Sequence, residues 1–216
     1  MKDMTLRERA VAVARLFETD YPDVKCGLEA GDNAYRLLMM AILSAQCTDK
    51  RVNIITPPLF EAFPDAATLA ASDEATVYEY IKSVSYPNNK TRSLLGAARR
   101  LVEAFGGEVP DNIDDLLTIP GVGRKTANVM LSVVWKRAAM AVDTHVFRVS
   151  ERIGLTTGAK TPRQTEEELV KNIPQEQIPL AHHWLILHGR YVCKARRPDC
   201  PNCGIADWCR WYSKHS

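Results

Sequence analysis

Four cysteines lie close together near the C-terminal end of the sequence. Cys193, Cys200, Cys203 and Cys209 follow the spacing C-x6-C-x2-C-x5-C. Thiolates this close in sequence can converge on one metal centre, which is either a zinc ion or an iron–sulfur cluster. Structural zinc sites commonly combine two C-x2-C pairs, whereas this segment has one, and iron–sulfur clusters accept varied spacings. The residues alone therefore predict a metal site and leave both metals open.

A second segment, Leu116–Val129, has the pattern of a tight turn between two helices. Apolar residues end one helix, Pro120–Gly123 forms the turn, and a new helix begins near Arg124. Backbone amides beside a helix N-terminus bind anions, and glycine allows a phosphate to approach the backbone closely. The pattern resembles a helix–hairpin–helix motif, which holds the DNA backbone without reading its sequence. We therefore expect Gly121, Gly123 and Arg124 to bind DNA; the alternative is a plain glycine-rich turn.

Helical periodicity predicts the elements that position these segments. Apolar residues recur at helical spacing, and neither sustained alternation nor a hairpin-type turn indicates strands, so an all-α fold is expected. One proline pair, Pro57-Pro58, is expected to interrupt the helical pattern. Helix starts are predicted at Thr5 with Glu8, after Asn33, at Thr48 or Asp49, and at Thr161 followed by Pro162. Short helices are expected after Asp65, Ser72 and Asn89.

The composition excludes several classes of protein. With 216 residues, 46% of them hydrophobic, and a net charge of +2, the chain can bury a core and is not disordered. No apolar run approaches 18 residues and no secretory signal core is visible, so neither a membrane span nor export is expected. We expect a cytoplasmic protein, associated with the nucleoid if bacterial, in which disulfides are disfavoured. Because the charges nearly balance, a DNA-binding surface requires local clustering of cations.

Taken together, the motifs resemble the endonuclease III-type DNA glycosylases. That family carries the same cysteine spacing around a [4Fe-4S] cluster, and the segment His182–Cys193 that leads into the first cysteine is also similar to it. The resemblance covers residues 25 to 212 and decides between the two metals in favour of the cluster. It implies two all-α lobes. One is a six-helix barrel over residues 27–137, with the hairpin at about 113–132, and the other joins residues 1–26 to 138–216 and holds the cluster.

The resemblance also implies a catalytic pair and a reaction. The family's lysine after Pro-Gly-x-Gly-Arg is Lys125 here, and its aspartate in Val-Asp-Thr-His is Asp143, so the two are expected to face each other across a cleft. The lysine would attack C1′ of the nucleotide, release the damaged base and form a Schiff base, and β-elimination would then nick the strand. A carboxylate stabilises the positive charge on the sugar and accepts a proton from the amine. Asp143 is also a candidate N-cap.

Several further residues are implied to contact DNA. Gln46, in Leu43–Asp49, resembles the glutamine that in the family enters the duplex when the base leaves the stack. The alternative is that Gln46 is simply a polar residue at the end of a helix. Cationic side chains are candidate phosphate contacts or simply solubilising charges, namely Lys194, Arg196 and Arg197 in the cysteine segment, and Lys90 and Arg92. His145 is expected to be structural, and Arg148 to be a helix-face charge or a phosphate contact.

One segment departs from the family pattern. Val84–Lys90 has Ser85 where the family normally has glycine, and Pro87 changes the character of the turn. In the family this loop lies near the damaged base. The family's preference among damaged bases is therefore the property that the resemblance implies least firmly for this chain. The expected partner is double-stranded DNA with damaged bases or abasic sites, bound by a monomer, and oxidised pyrimidines are the expected bases.

Two other interpretations compete with this one. Adenine glycosylases share the fold and the cluster, but they use a glutamate where this chain has Met40, and they lack the lysine of the hairpin. A non-catalytic DNA-binding iron–sulfur protein would keep the hairpin and the cysteines without needing Lys125 and Asp143. The joint presence of those two residues favours a bifunctional glycosylase.

Overall fold

A computed structural model describes residues 4–215, and within this range the chain is helical with no β-strand. The all-α prediction is confirmed. Two short 3₁₀ turns, Gln175–Gln177 and Ala206–Trp208, accompany the α-helices. The α-helices are α1 (Leu6–Asp20), α2 (Ala34–Leu43), α3 (Asp49–Ala62), α4 (Ala66–Ala70), α5 (Glu74–Ile81), α6 (Pro87–Phe105), α7 (Ile113–Leu117), α8 (Arg124–Val133), α9 (Thr144–Ile153), α10 (Pro162–Asn172), α11 (Ile178–Tyr191) and α12 (Arg210–His215).

The helices form two compact units. The first unit comprises Cys26–Trp135 and contains α2 to α8, and the second comprises the described residues up to Lys25 together with those from Lys136 onward. In the first unit α2 is the central helix, because eight of its ten residues are buried and it packs against α3, α6 and α8. A helix that is apolar on every face must be enclosed on every side. The hairpin helices α7 and α8 pack against each other in the same unit.

The second unit is built around an aromatic core. Phe17 of α1 and Trp184 of α11 are each at most 2% exposed, and α9 contributes Val146, Val149 and Ile153 to the same cluster. The indole N–H of Trp184 donates to the backbone carbonyl of Tyr21 at 3.3 Å. This core supports α9, which begins at Asp143, and α11, which leads into the cysteine segment.

Most of the predicted helix starts are confirmed, including Asp65, which caps α4. The cap of α5 is Asp73, one residue after Ser72, and the prediction at Asn89 is wrong because the long helix α6 already begins at Pro87. Thr5 and Glu8 form the capping box of α1, and Asn33, Thr48 and Thr161 each accept a backbone N–H at the start of α2, α3 and α10. Each signal is local, because a side chain and the amide two or three residues later suffice to produce it.

The prediction for Pro57-Pro58 is wrong, since α3 runs through both prolines to Ala62. Two prolines remove two backbone hydrogen bonds from the helix. However, the face that carries Val52, Ile55 and Leu59 is buried, and this packing holds the helix together across the gap.

No helix within residues 4–215 is long and apolar enough to cross a membrane.

Candidate functional site

The hairpin turn between α7 and α8 has the backbone geometry that its sequence predicts. Gly121 has a φ of +82°, and a Cβ added there would lie 2.8 Å from the Cβ of Ser93, so only glycine fits without rearrangement. Gly123 is the N-cap of α8, and among the described residues no side chain caps that helix. The positive end of α8 is therefore presented by backbone amides, as anion binding requires.

Lys125 lies in the first turn of α8 with an exposed side chain, and Arg124 before it is also exposed. The opposite face of the helix is anchored in the core, because Ala127 and Met130 are fully buried. The sequence therefore places both cations on the solvent side of a rigid helix start. An amine in this position is accessible to a bound ligand.

Asp143 is the N-cap of α9, so this part of its prediction is confirmed. Its Oδ1 accepts the backbone N–H groups of His145 and Val146, each at 2.8 Å. The side chain is partly buried. Because both capping bonds go to Oδ1, the carboxylate is held in one orientation and Oδ2 lies outside the cap. A fixed, charged carboxylate with one oxygen outside the cap suits electrostatic stabilisation of a nearby cation.

The side chain of Arg148 has a role that sequence reasoning missed. Its Nη2 donates to the backbone carbonyls of Gly189 at 2.9 Å and Cys193 at 3.1 Å, and it lies 3.3 Å from Nδ1 of His145. The expected helix-face charge or phosphate contact is thus wrong, because the guanidinium is turned inward and ties α9 to the end of α11. Gly189 permits this approach, since a Cβ there would meet His145 at 3.0 Å.

Arg152, one turn further along α9, holds the cysteine segment directly. Its guanidinium donates to the carbonyls of Lys194 at 2.7 Å and Ala195 at 3.0 Å, and Nη1 lies 3.6 Å from Sγ of Cys193. It also stacks over the ring of Trp211, 4.8 Å from the centroid. Arg148 and Arg152 therefore fix the start of the cysteine segment from a single helix. These contacts span more than forty positions, so local sequence carries no signal for them.

The four predicted ligands meet at one place. Cys193, Cys200, Cys203 and Cys209 line a single cavity together with apolar and aromatic side chains. Burial raises the pKa of the Cys203 thiol to about 11, and the other three thiols add to this effect. Burial also raises the pKa of the Cys200 and Cys209 thiols. Thiols in such surroundings become thiolates when a metal binds them.

The surroundings of the cavity fit a negatively charged cluster. Arg9 of α1 is 3% exposed, and its Nε has no hydrogen-bond partner within the described part of the chain. The guanidinium interacts electrostatically with Cys209. A buried, incompletely paired cation is costly unless an anionic group lies near it. Four thiolates around an iron–sulfur cluster supply that negative charge.

The two candidate metals differ in what they require of their ligands. The four thiols line one cavity, and within residues 4–215 no three His, Cys, Asp or Glu side chains are placed to hold a single metal ion. In a [4Fe-4S] cluster each thiolate binds a different iron, so the ligands surround a volume instead of one point. Zinc, by contrast, needs its ligands at bonding distance from one centre.

The remaining predicted DNA contacts divide into exposed and buried groups. Gln46, between α2 and α3, is exposed and has a φ of +53°, and Lys194, Arg196 and Arg197 are exposed in the cysteine segment. Arg92 is exposed as well. Lys90 is only 5% exposed, so the prediction of a phosphate contact is wrong for this residue. Its ammonium is turned inward to Ser85.

We expect the cysteine substitution Cys203→Ser to remove the bound iron and to lower thermal stability. Serine cannot replace a thiolate ligand, and the C-terminal segment has little core of its own besides Ile205. Cys26→Ser is the matched control, because Cys26 lies far from the cavity in sequence and in the other unit. Iron content, visible absorbance and melting temperature measure the effect. A colourless protein with stoichiometric zinc, or an unchanged Cys203→Ser variant, would contradict the cluster.

The chain is similar to known proteins over most of its length. Residues 39–175 match the HhH-GPD superfamily of base excision DNA repair proteins. Endonuclease III of Synechocystis sp. is 44% identical over 204 residues, covering 94% of this chain and 92% of the relative. Endonuclease III of Rickettsia felis is 41% identical over 201 residues, covering 93% of each chain.

Solved structures are similar along almost the whole chain. A trapped endonuclease III–DNA covalent intermediate in an estranged-adenine complex has a TM-score of 0.90 and 38% identity, covering 98% of this chain and 99% of that one. A thermostable thymine-DNA glycosylase shares the fold, with a TM-score of 0.86 at 22% identity, covering 97% of each chain. This chain therefore belongs to the endonuclease III family of the HhH-GPD superfamily, and it is a DNA glycosylase and lyase of base-excision repair.

Proposed function

We propose that this enzyme removes oxidised pyrimidines from double-stranded DNA and then cleaves the abasic strand by β-elimination. The observation that carries the proposal is an exposed lysine, Lys125, at the first turn of a helix that begins with an uncapped glycine turn. The turn binds a phosphate of the backbone, and the amine next to it attacks C1′ of the same strand. A structural relative has been captured as a covalent intermediate with DNA, which supports a covalent route.

The proposed reaction has two stages. The neutral amine of Lys125 attacks C1′ as the bond to the base breaks, and the base leaves with the bonding electrons. The sugar ring opens to a Schiff base between C1′ and the lysine nitrogen. Loss of a proton from C2′ then expels the 3′ phosphate, which nicks the strand. Water or hydroxide finally hydrolyses the imine and regenerates the lysine.

Asp143 supports the first stage in this proposal. The sugar carries positive charge when the glycosidic bond breaks, and a fixed carboxylate stabilises that charge without reorganisation. The capping bonds at 2.8 Å supply the fixed orientation. The carboxylate also accepts the proton that the attacking amine releases.

DNA binding is proposed to rest on phosphate contacts and one inserted side chain. Gly121, Gly123 and Arg124 hold the backbone at the hairpin, while the exposed Lys194 and Arg196 hold it from the cysteine segment. Gln46 fills the space that the extruded base leaves, since unstacking a base costs a few kcal/mol. In this proposal the barrel, residues 27–137, carries the hairpin and Lys125. The other lobe, residues 1–26 with 138–216, carries the cluster. The enzyme is proposed to act as a monomer.

A [4Fe-4S] cluster is proposed to be held by Cys193, Cys200, Cys203 and Cys209. When bound, the cluster would supply four iron–thiolate bonds that join the parts of the C-terminal segment to one another. Arg152 donates to two carbonyls of the segment and so keeps its exposed cations in one arrangement. The cluster is structural in this proposal and takes no part in base removal.

The first test mixes the protein with duplex DNA that carries an abasic site or thymine glycol and adds borohydride. Reduction converts a Schiff base into a permanent protein–DNA link. Trapping on both substrates is expected. Trapping on the abasic substrate alone would support the lyase activity but show that thymine glycol is not removed, and other damaged bases would then be tested. The absence of trapping on both would contradict the proposal.

Binding is expected to weaken steeply with salt, because phosphate contacts release counterions from DNA. Arg196→Gln should lower the slope of log affinity against log salt by about one. Arg163→Gln is the matched control, since Arg163 is exposed on α10 and pairs with Glu167 at 3.1 Å. Fluorescence anisotropy at several salt concentrations measures both slopes. An affinity that does not change with salt would refute the phosphate contacts, and equal slopes for the two variants would refute the role of Arg196.

A further inference from the structure

Two loops in the unit Cys26–Trp135 hold non-glycine residues in a left-handed backbone conformation. Gln46, which follows α2, has a φ of +53°, and Tyr86, which precedes α6, has a φ of +55°. Both are exposed, and Tyr86 keeps 62% of its surface in solvent. This conformation is unfavourable for residues with a Cβ and persists only where the surroundings enforce it. Some contact must therefore hold the two loops.

That contact is the side chain of Ser85. Its hydroxyl donates to the backbone carbonyl of Gln46 at 2.6 Å, which joins two loops that are 39 positions apart in sequence. Its oxygen accepts a hydrogen bond from the ammonium of Lys90 at 3.1 Å. A hydroxyl can donate once and accept twice, so Ser85 satisfies both partners.

The ammonium of Lys90 makes this connection stronger than an ordinary surface hydrogen bond. Lys90 is 5% exposed, and its ammonium donates a hydrogen bond to the hydroxyl oxygen of Ser85. A cation that donates to a hydroxyl polarises the O–H bond and strengthens its donation to the next acceptor. Burial lowers the pKa of the Lys90 amine.

The connection lies beside the hairpin. Gln46, Tyr86, Lys90 and Gly121 line one open cavity of about 360 Å³. Ser85 itself does not line this cavity, but its hydroxyl connects two residues that do, Lys90 and Gln46. Through the backbone carbonyl of Gln46, Ser85 therefore restrains the loop that carries this side chain beside the hairpin.

We propose that Ser85 is a positioning residue that, held by Lys90, sets the backbone of Gln46 for entry into the duplex. The inference rests on the proposed function and deepens it, because it names the device that orients Gln46. A glycine at this position would have no hydroxyl and could not make this link.

The role predicts a split between two activities. Removing a base from a duplex requires the base to leave the stack, whereas cleaving an abasic site in single-stranded DNA does not. We expect Ser85→Ala to slow base removal from duplex DNA about tenfold and to leave single-strand abasic cleavage within about twofold of the wild type. Ser85→Thr keeps the hydroxyl and should restore base removal.

The experiment measures both activities under single-turnover conditions for the wild type, Ser85→Ala, Ser85→Thr and Lys90→Met. Ser83→Ala is the control, since Ser83 is exposed two residues away in the same loop. Equal losses in both activities, or no rescue by threonine, would overturn the positioning role. Full base removal by Ser85→Ala would also overturn it.

Hydrogen exchange of the full chain provides a readout that does not depend on activity. Ser85→Ala should accelerate exchange in the segments around Gln46 and Tyr86 together, and Ser85→Thr should reverse the change. Unchanged exchange in both segments would show that Ser85 does not hold the loops. A wild type that removes no base would instead overturn the proposed function, while the exchange result would still decide whether Ser85 holds the loops.

Discussion

Replacing Lys125 by glutamine is expected to abolish borohydride trapping and to reduce strand cleavage by on the order of 10³-fold or more. Glutamine is similar in length but its amide nitrogen is not nucleophilic, so no Schiff base forms. A loss of 10³-fold corresponds to about 4 kcal/mol of transition-state stabilisation. Because Lys125 is exposed, the substitution removes no packing, and the melting temperature should not change.

The control for this experiment is Lys171→Gln, an exposed lysine on α10 that receives the same change. The Lys171→Gln variant should form as much borohydride-trapped protein–DNA complex as the wild type does. Binding to abasic DNA should survive in Lys125→Gln, since the hairpin amides are intact. Cleavage at the wild-type rate by this variant would show that another residue is the nucleophile. Lost binding together with lost cleavage would show that Lys125 serves the phosphate contact instead.

Replacing Asp143 by asparagine is expected to slow base removal by on the order of 10²- to 10³-fold with little change in stability. Asparagine caps a helix about as well as aspartate, so its oxygen can still accept the N–H groups of His145 and Val146. The lost charge at a helix start costs about 0.3–1 kcal/mol of stability. The substitution thereby separates the capping role from the chemical role.

A second aspartate provides the matched comparison. Asp73 caps α5 by accepting the N–H of Thr76 at 2.9 Å, so Asp73→Asn makes the same change at another helix start. Single-turnover base removal and the melting temperature are measured for both variants. A similar melting temperature with slow base removal in Asp143→Asn alone would support the chemical role. If base removal were unimpaired, Asp143 would be a cap and nothing more.

Features that depend on a few neighbouring residues are predictable from the sequence. The caps at Thr5, Asn33, Thr48 and Thr161 need only a side chain and an amide two or three residues later. The turn at Gly121 is also predictable, since the Pro-Gly-x-Gly pattern marks a tight turn and glycine permits its left-handed backbone. Four cysteines within one short segment likewise meet at one cavity because the connecting loops are short.

Features that depend on burial were mispredicted. Lys90 looks like a surface cation in sequence, but it lies on the inward face of α6, where Leu94 and Leu101 are fully buried. Pro57-Pro58 looks like a helix break, but packing of the apolar face of α3 carries the helix through it. In both cases tertiary packing overrides a local preference.

The sequence by itself determined the all-helical class, the hairpin with its lysine, the capping aspartate and the four cysteines that line one cavity, because each depends on residues that are near neighbours along the chain. The tertiary structure alone decided which side chains support them. Arg148 and Arg152 reach the cysteine segment across more than forty positions, and Arg9 donates to the carbonyl of Gly154 across 145 positions. Ser85 joins two loops 39 positions apart. A hydrogen bond between distant segments forms only where helix packing brings donor and acceptor within about 3 Å, and no local pattern encodes that distance.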